Sequence, residues 1–169
     1  MLTDFDNIRR NGSHEYTGAM RTELSEWIGH FHPRWMLTFN FNSDISLDGA
    51  HRKMRQCLMR IEHAKLGRNW SRKPARLRAK AIAVMEHQDS NSHWHCAVRT
   101  LHDDWGAALE AGKHYWETLV PAGSLHIAPV TDVEGLVAYM TKSQYMGAHL
   151  DAMFFYAPER PAHPETKRR

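Results

Sequence analysis

Apolar residues between Tyr16 and Phe31 recur at three- and four-residue steps, at Met20, Leu24, Trp27, Ile28 and Phe31, and the run stops before Pro33. That spacing predicts an amphipathic helix. From Trp35 to Asn42 the period changes to two. Trp35, Leu37, Phe39 and Phe41 fall on one side and Met36, Thr38, Asn40 and Asn42 on the other, the pattern of a half-buried strand. Ser46 or Asp48 can cap a second helix that carries Met54, Leu58, Ile61 and Ala64 as far as Gly67, a residue suited to a helix stop. Residues Lys80 to Gln88 and His93 to Thr100 read as two strands around the turn-rich Asp89, Ser90, Asn91 and Ser92, which predicts a hairpin. A helical pattern then runs through Trp105, Ala108, Leu109, Gly112, Trp116 and Leu119 and closes at Pro121 and Gly123. Leu125 to Val130 predicts a fourth strand, and Thr131 or Asp132 caps a last helix through Leu136, Val137 and Met140.

After the first helix the predicted order is strand, helix, strand, strand, helix, strand, helix. This is an α+β class, a ferredoxin-like βαββαβ antiparallel sheet with helices on one face and an extra helix at each end. Such a sheet leaves its other face open to a ligand. With 169 residues, 42% of them hydrophobic, the expectation is one domain over residues 1–156, followed by a flexible Pro-rich and charged tail over 157–169. No stretch approaches the roughly 18 consecutive apolar residues of a membrane span, and the N-terminus lacks the order of a signal peptide, so a soluble, cytoplasmic protein is expected. Cys57 and Cys96 sit among apolar neighbours and read as buried free thiols.

Net charge is only +3, with a pI near 9.0, which permits a nucleic-acid partner without requiring one. The distribution is more informative. Lys65, Arg68, Arg72, Lys73, Arg76, Arg78 and Lys80 fall within one stretch that holds Trp70 and no acidic residue. This is the composition of a phosphate-contacting loop, although a solvated surface run would look the same.

The strand period places His93 and His95 on one face, with Trp94, Cys96 and Val98 on the other, so two potential metal ligands project together from an apolar support. Thirteen histidines make about one His-x-His pair expected by chance, and His30 and His32 form a second one. That second pair lies at a helix end, where residues two apart diverge, and is incidental. For a third ligand the hairpin parity divides the answer. An even loop brings Glu86 across from His95, and an odd one brings His87 across from His93. The shared parity of Ile82, Val84 and Glu86 would aim Glu86 at the core and favour His87, with Asp89 also open. Tyr139 and Lys142 lie three apart on the last helix and so on nearly the same face, where one can attack and the other can steady charge. Taken alone, Tyr139 would as readily be a core aromatic.

In order and placement these segments resemble the motifs of the HUH superfamily, the rolling-circle replication initiators with a single catalytic tyrosine and the related transposases. The segments are the apolar strand with a threonine from Trp35 to Asn42, the run His93, Trp94, His95, Cys96, Ala97 and Val98, and the Tyr-x-x-Lys of Tyr139 to Lys142. The resemblance covers residues 35–142. In the family a Glu-bearing strand often precedes the histidine pair, and Val84 to Gln88 looks like that segment, which favours Glu86 as third ligand. No helicase region accompanies the motifs, and Tyr145 is a poor helical match to Tyr139.

The resemblance implies a metal-dependent nickase of single-stranded DNA that works through a 5′-phosphotyrosine intermediate at Tyr139, assisted by Lys142. It implies a divalent ion, manganese or magnesium, on His93, His95 and Glu86. Thr38, Asn40 and Arg99 are candidates to touch the DNA. Arg68, Arg72, Lys73, Arg76 and Arg78 would track its phosphates, and Trp70 could stack on a base. Initiation of plasmid or phage rolling-circle replication, with a host helicase and polymerase as partners, is the expected role, and a transposase would use the same site. The competing readings are a noncatalytic single-stranded nucleic-acid-binding domain on the same fold and a hydrolase that activates water.

Overall fold

The computed structural model describes residues 15–86, 92–142 and 153–158, with side chains from residue 22 onward. His87, Asp89 and Tyr145, and the tail from residue 159, lie outside the described residues. The elements, in chain order, are α1 (Glu15–Phe31), β1 (Trp35–Asn40), α2 (Leu47–Leu66), β2 (Lys80–Glu86), β3 (His93–Arg99), α3 (Gly106–Leu119), β4 (Ser124–Pro129), α4 (Val133–Thr141) and β5 (Met153–Tyr156). Two single-turn 3-10 segments, Trp70–Arg72 and Ala75–Leu77, shape the basic stretch between α2 and β2. The expected helix stops are in place. Ser46 caps α2 by accepting from the Gly49 amide at 3.2 Å, Gly67 ends it at φ 80°, and Asp132 caps α4 by accepting from the Gly135 amide at 2.9 Å. No helix among the described residues is long and apolar enough to cross a membrane.

The strands form one open five-stranded sheet in the order β4-β1-β3-β2-β5, and every neighbouring pair is antiparallel. The class is therefore α+β, as expected. β5 was not anticipated. It adds to the β2 edge, with Ile82 opposite Phe155 and Val84 opposite Met153. At the other edge, Pro129 ends β4 where no further strand requires its missing N–H.

A second difference matters more for function. α2 and α3 cover one face, where Met54, Cys57, Leu58 and Ile61 of α2 and Leu109 and Trp116 of α3 bury with Leu37, Phe39, Trp94, Cys96 and Val98. At the closest approach of these two helices, a Cβ on Gly112 would lie 2.3 Å from Ile61 Cγ1, so glycine allows the contact. The helices are not confined to that face. α1 and α4 pack on the other, where Leu24, Ile28, Leu136 and Met140 bury against Ile82, Val84 and Ala97. The expectation of a sheet with one open face is thus corrected. β2 and β3 are apolar on both sides along their middles, and only their ends are available for chemistry.

This two-sided burial also resolves the parity conflict. Glu86 is paired with His93, and Val84 with His95, so the loop from 87 to 92 is even, and the expected partnering of Glu86 with His95 is displaced by two residues. Ile82 and Val84 do face a core, but it is the second core under α1 and α4, and Glu86 lies on that same face just beyond it.

Candidate metal centre

Glu86 and His93 occupy the last paired position of the β2–β3 hairpin, and His95 stands two residues back on the same face. Glu86 is 5% exposed and His95 2%, while His93 is half-buried. The Nε2 atoms of His93 and His95 both donate to Glu86 Oε2, at 3.0 and 2.7 Å. One ligand atom from each of the three residues lies within 4.8 Å of the others, and this group could hold a metal ion. Separations near 3 Å, as between Glu86 Oε2 and each imidazole, are what donors about 2.1 Å from a common ion would show. The chemistry of two imidazoles and a carboxylate suits a divalent cation.

α4 completes the arrangement. Leu136 and Met140 anchor it in the second core, which fixes the helix so that Tyr139 and Lys142 overhang the ends of β2 and β3. The Tyr139 ring stands edge-on to His95 with centroids 4.6 Å apart, and it remains 40% exposed. Lys142 Nζ lies 3.1 Å from Glu86 Oε1 and 3.9 Å from the Tyr139 ring centroid. Three distant segments of chain therefore meet at one point. Tyr139 is not the core aromatic that its helix context alone suggested.

No family model, curated protein or solved structure matches this chain.

Electrostatics favour ligation. Burial pulls the His95 imidazole below its ordinary pKa, with His93 and Lys142 acting in the same direction, against the hydrogen bond and charge of Glu86. His95 is thus biased to the neutral form that a metal requires. Burial alone would lower Lys142, but its hydrogen bond and charge interaction with Glu86, reinforced by Tyr139, raise its pKa, and it stays an ammonium. Behind His95, the Thr38 hydroxyl on β1 shares a 3.3 Å hydrogen bond with Nδ1.

The hydroxyl of Thr38, a candidate DNA contact by its strand position, is thus engaged with His95. Asn40 donates to Ser124 Oγ at 3.1 Å on the same sheet face. The basic stretch is elsewhere. It leads into Lys80, which pairs with Arg99 at the far end of the hairpin from Glu86, six residues and about 20 Å along the strand. Arg68, Arg72, Lys73 and Arg76 are exposed there, but Arg78 is buried, with its Nη2 on Glu62 Oε2 at 2.9 Å and its Nε on Oε1 at 3.2 Å. The Arg78 guanidinium also lies over Trp70, 4.7 Å from the ring centroid, so one face of that ring is already covered. Arg34, Lys80 and His126 were given no site role of their own in the sequence, Lys80 being noted only as the end of the basic stretch. The first two join Arg99 at the far end, and exposed His126 stands opposite Thr38 on β4. Strand parity gives their face, but only the register gives their neighbours.

Proposed function

We propose that the protein is an HUH-type nickase and strand transferase of single-stranded DNA, acting through a covalent bond between Tyr139 and the 5′-phosphate of the cut strand. The observation that carries the reading is the meeting of Tyr139 and Lys142 with the group Glu86, His93 and His95, with the tyrosine ring 4.6 Å from His95. The strand order β4-β1-β3-β2 supports it as well, being the order of a ferredoxin-like sheet, the fold expected of this class.

A divalent ion held by Glu86, His93 and His95, with manganese or magnesium favoured by the mixed nitrogen and oxygen donors, would supply Lewis-acid polarisation of a phosphodiester oxygen. The protein's own groups do the rest. The Tyr139 oxygen bonds to phosphorus while the bond from phosphorus to the 3′-oxygen breaks. The phenol proton leaves to solvent, and the departing 3′-oxygen takes one up. The charged Lys142 ammonium, held by Glu86 beside the ring, is placed to offset the negative charge that builds at phosphorus. The phosphotyrosine conserves the energy of the broken bond, so a 3′-hydroxyl can reverse the step and join strands, as initiation of rolling-circle replication needs.

A second reading rests on the same contact. An exposed aromatic ring against His95 could simply shield a metal-dependent hydrolase centre that uses water. Incubating labelled single-stranded oligonucleotides with manganese and the protein, followed by a denaturing gel, separates the two. The proposal expects a protein band carrying one DNA fragment. Tyr139→Phe should abolish both the band and cleavage while keeping DNA affinity. Nicking that survives in the phenylalanine variant would refute the role of Tyr139.

A further inference from the structure

The register of the sheet creates a charge arrangement at the end remote from Glu86. Lys80 on β2 pairs directly with Arg99 on β3, and the pairing of Trp35 with Val98 puts Arg34 opposite Arg99 on its other side. The Arg34 amide donates to the Val98 carbonyl at 2.9 Å, which ties this residue, just before β1, to the same end of β3. β2, β3 and the residue that leads into β1 thus each bring a cation to the same end of the sheet. Directly opposed side chains have Cβ atoms roughly 5 Å apart, and like charges so placed destabilise a sheet.

The row does not face open solvent alone. Arg34, Lys80 and Arg99 line a cavity of about 290 Å³ together with Arg76 and Arg78 from the loop before β2, and with His32, which turns the chain out of α1 in the left-handed region at φ 50°. No acidic residue among the described residues lines it. Arg34 is paired with Asp103 and Arg78 with Glu62, but Arg76, Lys80 and Arg99 make no ion pair among the described residues. Arg78 is held rigidly, because Glu62 takes its Nε and Nη2 and also accepts the Ala79 amide at 2.8 Å. An ordinary solvated charge run would not converge from three chain segments into one concavity, nor place its cations in direct opposition.

We propose that this cavity is a phosphate-binding site, distinct from the metal-ligand group and on the same face of the sheet. A tetrahedral polyanion answers several guanidinium groups at once, through paired N–H donors, and removes the repulsion built into the row. The volume lies near the lower end of small-ligand sites, about 300 to 1,000 Å³, which suits a phosphate with a sugar attached. Two sources share that chemistry. One is a backbone phosphate of the DNA strand, outside the linkage that is cut, and this source rests on the nickase reading. The separation of about 20 Å corresponds to roughly six nucleotides at the 3.4 Å rise of a stacked strand, and a strand that reaches both ends must pass around α1 and α4, so more than six would be spanned. The other is a free phosphate compound such as a nucleotide.

The test compares the full-length protein with Arg99→Gln and Lys80→Gln, both exposed positions, at low ionic strength and without added metal. Both variants are expected to melt above the wild type, because the substitution relieves repulsion. Pyrophosphate is expected to raise the melting temperature of the wild type and to lose that effect in the variants. If the ligand is DNA, a labelled single-stranded oligonucleotide binds each variant about tenfold more weakly, and the slope of log affinity against log salt falls by about 0.7 per lost contact. Loss of the pyrophosphate effect with unchanged oligonucleotide affinity still supports the site and assigns it a free phosphate compound. A pyrophosphate shift that persists in both variants, or no shift in the wild type together with unchanged DNA binding in the variants, overturns the site. A failure of the wild type to form a covalent adduct bears on Tyr139 alone and leaves these measurements standing.

Discussion

Thr38 offers the sharpest check on how the metal-ligand group is built. With the Nε2 proton of His95 directed at Glu86, Nδ1 of the neutral ring must accept, and the Thr38 hydroxyl donates across 3.3 Å. When Nε2 turns its lone pair to an ion instead, Nδ1 carries the proton and donates to the same oxygen. A hydroxyl serves both states because it can donate and accept, which a backbone carbonyl cannot. Thr38→Val keeps the shape and removes this support. Loss of a group behind a metal-bound histidine weakens metal affinity by about 10- to 100-fold, and the length of this bond places the expectation at the lower end, about tenfold or 1.4 kcal/mol. Competition for manganese or zinc against a chelating dye would measure it. Thr38→Ser, which retains the hydroxyl, should bind nearly as the wild type does. The reasoning fails if valine binds within twofold of wild type, or if serine is as weak as valine, since the methyl packing would then be what matters.

Two further perturbations test the surroundings. Glu62→Gln leaves the buried Arg78 guanidinium without its carboxylate and turns one of the two oxygens that accept from Arg78, Ala79 and Tyr156 into a donor, so urea unfolding should record a loss of about 3 kcal/mol; a loss under about 1 kcal/mol would show that the cluster does not stabilise the fold. His51 packs between Trp94 and Phe154 with centroids 5.0 and 5.2 Å away, its Nε2 is buried without a partner among the described residues, and burial lowers its pKa from the ordinary 6.5. A depressed imidazole contributes stability that is complete above pH 6.5 and is lost as pH falls toward the folded-state value. Relative to His51→Phe, the wild type should therefore lose stability as pH drops from about 7 to about 5, and a difference that stays constant over that range would exclude His51 as the source.

Helices and the first four strands were legible because each carries its own signal, either a period with a cap or an alternation bounded by turns. β5 carries neither. Met153, Phe154, Phe155 and Tyr156 are all apolar and do not alternate, and their partner β2 lies about seventy residues earlier, so no local feature announces the pairing. The basic stretch was legible as composition and misleading as location. Its charges are continuous in sequence, but the turns at Trp70–Arg72 and Ala75–Leu77 and the clasp of Arg78 by Glu62 divide them between an exposed loop and a fixed cavity wall.

The metal-ligand group shows where sequence parity stops being informative. Parity correctly put His93 and His95 on one face, because it needs only the strand period. It misjudged Glu86 because it assumed that one face of the sheet is core and the other is free, and Ile82 and Val84 then seemed to forbid a polar role for their neighbour. In the folded chain, α1 and α4 make that face a core as well, but only as far as Val84. Two residues further on the apolar cover ends, and Glu86 meets His93. The helix that finishes the second core is also the one that carries Tyr139 and Lys142, so Leu136 and Met140 set the reach of the tyrosine by the same contacts that stabilise the sheet. The site is placed by the boundary of the core, and a boundary is a property of packing between distant segments that no single stretch of sequence contains.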